Sequence, residues 1–216
     1  MAMIELQNIT KTYDAGEVHT QVLENFNFKA SDGEYISVMG RSGSGKTTLL
    51  NIIGAMDGVT SGRYLYNDIE VNAMNRRQLE RFRKEHISYV FQNYFLINYY
   101  TVRENVEVPL IAKGVPPKER KHIAEEKMKL VGISDIADKL PVHISGGQMQ
   151  RCAIARALAT GNDIMLADEP TGALDADTAE EIMEVFDAIR KEKCTIIVVT
   201  HDKEIAAHAD RIVRLD

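Results

Sequence analysis

The chain has 216 residues, 44% of them hydrophobic and 27% charged, which suffices for one domain with a large core. Its 26 basic against 32 acidic residues give a formal net charge of -6, arguing against nucleic-acid binding over a broad basic surface. No apolar run approaches the roughly 20 residues that span a bilayer, and Met1-Ala-Met-Ile-Glu-Leu is not expected to act as a signal peptide. Cys152 and Cys194 lack metal-ligand spacing and are expected to be reduced, buried thiols of a cytosolic protein.

Along the chain, Ile4 to Ile9 and Val22 to Phe28 read as strands, and Gly62 to Val71 contains a third. Turns rather than long helices separate them, which predicts an antiparallel β layer. A different group of strands is predicted at Tyr35 to Met39, Ile87 to Phe91, Ile164 to Ala167, Ile196 to Val199 and Ile212 to Leu215. Ile196 to Val199 is apolar without alternation, as a strand covered on both faces should be. The stretch from about 102 to 159 is mostly helical, with Pro117 and Gly132 framing one helix. It is expected to form a helical subdomain inserted into the core. Between Asp175 and Thr195, apolar Ala179, Ile182, Met183, Phe186 and Ile189 predict an amphipathic helix, with Asp177 and Glu180 as a capping-box-like start. These elements predict an α/β fold: a mainly parallel sheet core, an antiparallel β layer and a helical insertion, in one domain over 1–216.

Gly40-Arg-Ser-Gly-Ser-Gly45-Lys46-Thr47-Thr48 fits G-x-x-x-x-G-K-[ST], directly after a predicted strand and before a helical run, Thr48 to Ile53. Backbone N–H groups around Gly40, Ser42, Gly43, Ser44 and Gly45 are expected to cradle phosphate oxygens at a helix N-terminus. Lys46 is expected to reach the β and γ phosphates, and the Thr47 hydroxyl to ligate Mg²⁺. Ile164-Met-Leu-Ala-Asp168-Glu169-Pro170 is an apolar strand ending in two carboxylates. Adjacent strand residues point to opposite faces, so regular geometry cannot turn both toward one ion. Asp168 is assigned to Mg²⁺ and Glu169 to the attacking water. Gly40, Gln92, Asp168 with Glu169, and His201 each follow a predicted strand, so a parallel sheet brings them to one edge.

His143-Ile144-Ser145-Gly146-Gly147-Gln148 opens another predicted helix, with Ser145 as its N-cap. One nucleotide does not need a second anion cradle on the same face. With both Walker motifs in order, Ser145-Gly-Gly-Gln resembles the signature of the ATP-binding cassette (ABC) ATPases, P-loop NTPases of the RecA-like kind, and the resemblance covers essentially the whole chain. It implies ATP and Mg²⁺ as cofactors, ATP hydrolysis coupled to transport, and a head-to-tail dimer. In such a dimer Ser145, Gly146, Gly147 and Gln148 of one subunit cover the γ-phosphate bound by the other. It further implies that Tyr13 stacks on adenine and that Gln92 touches Mg²⁺. Ala173-Leu174-Asp175 would cross the dimer interface, and His201 would be the switch histidine. Ile144 stands where the family usually has Leu.

Phe91-Gln-Asn-Tyr-Phe-Leu, Glu104-Asn-Val-Glu-Val-Pro-Leu and Ala167-Asp-Glu-Pro-Thr-Gly-Ala-Leu-Asp are similar to one subgroup, the MacB type. It spans macrolide and peptide exporters, lipoprotein-release systems and a cell-division ATPase. The resemblance implies a subunit peripheral on the cytoplasmic face of the membrane that drives a separate integral membrane subunit. Export or extraction of a peptide, drug or lipoprotein is expected, the alternative being signalling without transport, as in cell division. Six of the 14 aromatic residues (8 Tyr, 6 Phe) fall between Tyr89 and Tyr100. Tyr89 and Phe91 are assigned to a strand and the core. Tyr94, Phe95, Tyr99 and Tyr100 make Asn93 to Thr101 the expected docking segment. The basic run Arg76 to Lys84 is read as a solvated helix face with internal Glu pairs.

Overall fold

The computed structural model describes residues 2–16, 18–190 and 194–215. β1 (Ala2–Ala15) and β2 (Val18–Ser31) form a hairpin paired from Ala15 and Val18 back to Ala2 and Ser31. Each strand has 14 residues, far longer than the predicted runs. Asn8 and Asn25, at φ 51° and 45°, lie among the register shifts that let the pairing continue past interrupted alternation. The run 62–71 holds two strands, β4 (Ser61–Tyr66) and β5 (Ile69–Glu70). Asn67 and Asp68, both at positive φ, make the two-residue turn between them. This antiparallel sheet has the order β2-β1-β4-β5.

The second sheet is parallel throughout. Its order is β6 (Ile87–Val90), β7 (Ile164–Asp168), β8 (Thr195–Val199), β3 (Tyr35–Gly40) and β9 (Arg211–Leu215). Neighbouring residues of its strands serve different cores. Ile36, Val38, Ile164, Leu166, Ile197 and Val199 pack with the antiparallel sheet and helix α1 (Lys46–Ile53). Tyr35, Val90, Met165, Ala167, Ile196 and Val198 pack against α3 (Val102–Lys113), α4 (Pro117–Leu130), α5 (Gly146–Ala159) and α6 (Ala176–Arg190). Both faces are covered, which is why these strands lack polar alternation. Helix α2 (Arg76–His86) precedes β6, and α7 (Lys203–Ala207) precedes β9.

Two expectations need correction. α6 is capped by Asp175 rather than Asp177: Asp175 Oδ1 accepts from the Thr178 N–H at 3.0 Å, and Asp177 falls inside the first turn. The helix expected between Asp175 and Thr195 is described over Ala176–Arg190; 191–193 lie outside the described residues, and Thr195 opens β8. β6 stops at Val90, so Phe91 leaves the sheet, half-buried like Tyr89 and stacked on it at 4.1 Å between ring centroids. The basic run lies on α2, with Arg76–Glu80 and Arg81–Glu85 pairs one turn apart. Cys152 and Cys194 are free and buried, and burial pushes both thiols up to about 12, out of reactive range. Among the described residues no helix is long and apolar enough to cross a membrane.

Candidate functional site

The phosphate loop joins the end of β3 to α1. A Cβ on Gly40 would lie 2.3 Å from Ser44 Oγ and 2.4 Å from the Leu215 carbonyl oxygen, so only glycine lets the loop fold over β9 here. Gly43 and Gly45 sit at φ 81° and 92°, where side chains are disfavoured. Lys46 Nζ folds back to donate to the carbonyls of Gly40 and Arg41, at 2.8 and 2.9 Å. Ser44 Oγ is buried with no hydrogen-bond partner among the described residues. A buried lone hydroxyl inside a glycine loop is poised for a polar ligand.

The strand period explains the opposite wall. Ile164, Leu166 and Asp168 share the face of β7 that packs toward α1. Asp168 therefore meets the second residue of α1, and Thr47 Oγ1 donates to Asp168 Oδ2 at 3.1 Å. Burial pushes the Asp168 carboxyl above its ordinary range; the Thr47 hydrogen bond opposes this and the charge of Glu169 adds to it. Glu169 leaves the strand geometry at φ 45°, a left-handed conformation that costs a side chain on the order of 1–3 kcal/mol. Its N–H stays bonded to Val199 O at 2.9 Å, and its Oε1 lies 2.9 Å from His201 Nδ1. The strained turn is how two adjacent carboxylates come to serve one cleft. Gln92 lies over Gly172, where an added Cβ would stand 3.0 Å from Gln92 Nε2.

Ser42, Gly43, Gly45, Lys46, Thr47, Thr48, Gln92, Asp168 and Glu169, with Val22, line one open cleft of about 380 Å³. The oxygen donors of Thr47, Asp168 and Gln92 form a hard set of the kind Mg²⁺ takes together with substrate phosphates. Among the described residues no group of three or more His, Cys, Asp or Glu could cage a metal without such a ligand. Tyr13 stands beside the cleft, half-exposed, its hydroxyl 3.4 Å from Thr48 Oγ1.

Ser145, Gly146, Gly147 and Gln148 are not in this cleft. Ser145 caps α5: its Oγ accepts from the Gln148 N–H at 3.3 Å, while Gln148 Oε1 accepts from the Ser145 N–H at 3.0 Å. Gly147 faces Thr178, beside the Asp175 cap.

Sequence reasoning missed two residues that shape the segment after Gln92. Asn105, fully buried on α3, accepts from the Ile97 N–H and donates to the carbonyls of Ile97, Tyr100 and Thr101. Arg156 on α5 donates to the carbonyls of Tyr94 and Phe95, both at 2.6 Å, and those two residues sit at positive φ. No local spacing marks either residue, because the partners of both are backbone groups of the segment that precedes their helices. The segment presents Phe95 and Tyr99 at 61% and 78% exposure. Beside it lies a groove of about 410 Å³ lined in part by Phe91, Phe95, Ile97, Pro109 and Arg156.

A glycine loop between a parallel strand and a helix, facing a strand-end aspartate hydrogen-bonded to the helix threonine, defines a P-loop nucleoside triphosphatase. The sequence family described as ABC transporter matches residues 23–172, and the chain belongs to that family as one of its ATPase cassettes. It is 46% identical over 213 residues to an uncharacterized ABC transporter ATP-binding protein of Thermotoga maritima, covering 99% of this chain and 91% of that protein. It is 41% identical to the macrolide export ATP-binding/permease protein MacB of Campylobacter fetus, over 99% of this chain but 33% of that protein. The chain thus spans about one third of the MacB proteins it matches. The dimeric post-hydrolysis state of the ATP-binding cassette MJ0796, bound to ADP and Pi, superposes with a TM-score of 0.91 at 42% identity, over 99% of this chain and 94% of that one.

Proposed function

We propose that the chain hydrolyses Mg-ATP as a head-to-tail dimer and drives a MacB-like membrane subunit that exports or extracts a peptide, drug or lipoprotein. The observation that carries this reading is the separation of Ser145 to Gln148 from the phosphate cleft of their own chain. A second copy supplies them to the γ-phosphate. The MJ0796 cassette, a dimer in its ADP- and Pi-bound state, supports the arrangement.

In this reading the triphosphate draws Lys46 away from the Gly40 and Arg41 carbonyls onto the β and γ phosphates. Ser44 and the loop N–H groups hold the same oxygens. Thr47, Asp168 and Gln92 would hold Mg²⁺, which would supply charge neutralisation to the phosphates. Glu169 orients the attacking water and takes its proton, and His201 fixes the Glu169 carboxylate. Ser145 of the second copy donates its hydroxyl proton, left free by the cap geometry, to the γ-phosphate. The Asn93 to Thr101 segment and its groove receive the membrane subunit, so the chain works at the cytoplasmic face. Relatives named as MacB ATP-binding/permease proteins support a membrane partner.

The dimer is tested by measuring ATP turnover against protein concentration, with light scattering in Mg-ATP. Specific activity rising with concentration, together with a doubled mass, is expected. A flat specific activity from a monomer overturns the reading.

A further inference from the structure

Tyr13 does not stand alone at the edge of the cleft. Its hydroxyl donates to Asp57 Oδ2 at 2.7 Å, and Asp57 lies in the loop after α1. Lys11, only 8% exposed, donates to Asp57 Oδ1 at 2.7 Å and to the Gly58 carbonyl at 2.8 Å. The same ammonium sits 4.6 Å from the centroid of the Tyr13 ring. Asp57 thus bridges the ring's own hydroxyl and the cation over the ring's face. Burial alone raises the Asp57 carboxyl, but the Lys11 and Tyr13 hydrogen bonds outweigh it and hold the group below its ordinary range.

A half-exposed tyrosine on a long hairpin strand would otherwise sample several rotamers, and ordering it on ligand binding would cost affinity. We propose that Asp57 and Lys11 are positioning residues that lock the Tyr13 ring beside the phosphate loop, with Lys11 covering one face and the other face left for the base of the nucleotide. The proposal rests on the reading of Tyr13 as the base platform. It adds a reason for Lys11 to be a buried cation and for Asp57 to follow α1: the platform is built before the nucleotide arrives. The clamp acts chiefly on the base: Asp57 and Lys11 lie outside the lining of the phosphate cleft, which the clamp reaches through the long 3.4 Å contact of the Tyr13 hydroxyl with Thr48 Oγ1.

Calorimetric titration with Mg-ATP and, separately, with Mg-tripolyphosphate, which lacks the base, tests both levels. Asp57→Ala and Tyr13→Phe are each expected to weaken ATP about tenfold, and the double variant no further, because each removes the same hydrogen bond. Tripolyphosphate affinity stays unchanged in all three, and in steady state the loss falls on KM rather than kcat. Tyr13→Phe keeps the ring and breaks no buried ion pair, so it carries the test even where Asp57→Ala fails to fold. ATP binding that is lost in Tyr13→Ala but unchanged in Tyr13→Phe overturns the clamp alone. Unchanged ATP binding in Tyr13→Ala overturns the platform and the clamp together.

Discussion

Glu169 Oε1 and His201 Nδ1 meet at 2.9 Å across the ends of two neighbouring strands, 32 residues apart in sequence. The Glu169 side chain is 15% exposed and that of His201 is 73% exposed. The carboxylate is therefore held inward and the imidazole forms the outer wall. The strained φ of Glu169 serves this contact, because an extended residue there would point to the opposite side of β7.

Replacing Glu169 with Gln keeps an oxygen for His201 and removes the charge proposed to activate water. Turnover is expected to fall by about 10²- to 10⁴-fold, as for loss of a general base. ATP affinity is expected to persist, since Lys46 and the glycine loop are untouched. A turnover assay beside equilibrium ATP binding checks both halves, and wild-type turnover would refute the role.

Asp168 links function to stability with a defined sign. Folding raises its carboxyl above the ordinary aspartate value of about 3.9, chiefly through burial. The native state therefore prefers the proton, and the ionised group destabilises the fold. That penalty is absent below the ordinary pKa and sets in as pH rises through it. Asp168→Asn is expected to melt higher than wild type at pH 7, with the gap closing near pH 3, while losing ATP turnover. Thermal melts across that range read the difference, and a lower Tm at pH 7 would contradict it.

Much of the site's placement was legible in the chain because the candidate residues sit at strand ends. An apolar run followed by Gly40, Gln92, Asp168 or His201 announces a position on a common edge once the strands are parallel. The hairpin was not legible in full, because its outer part, Thr10 to Asp14 and Val18 to Gln21, is mostly polar and carries no apolar alternation. The α6 cap was misplaced because Asp175 and Asp177 both precede the apolar stripe, and only the Thr178 contacts separate them. Asn105, Arg156 and Asp57 were silent because their partners are mostly backbone carbonyls or distant side chains, which no local spacing encodes.

Asn105 ties the Ile97 to Thr101 backbone to α3 through one carboxamide, fully buried. Its removal leaves several backbone groups without a partner. Asn105→Ala is expected to cost about 1–3 kcal/mol, as for other unsatisfied buried polar groups. The loss concentrates locally: amide exchange at 97–101 rises before the parallel sheet opens. Hydrogen exchange resolved by residue reads this, and uniform acceleration over the whole chain would argue against a local staple.

Gly147 is a packing requirement, apart from its proposed role at the dimer interface. A Cβ there would sit 2.4 Å from Thr178 Cγ2, closer than atoms tolerate. Thr178 cannot swing aside, because its hydroxyl donates to Asp175 Oδ2 at 2.9 Å and its N–H to Oδ1 at 3.0 Å. The Asp175 cap therefore fixes the methyl that Gly147 must avoid, and it joins the start of α6 to the start of α5. Gly147→Ala is expected to destabilise by about 1–3 kcal/mol through this overpacking. Thr178→Ser removes the methyl and keeps the hydroxyl on Asp175. The double variant is then expected to recover wild-type stability or exceed it, since Ala is the better helix former by about 1 kcal/mol. Urea unfolding of the two single variants and the double variant measures the coupling, and additive losses would show that the strain of Gly147→Ala arises elsewhere.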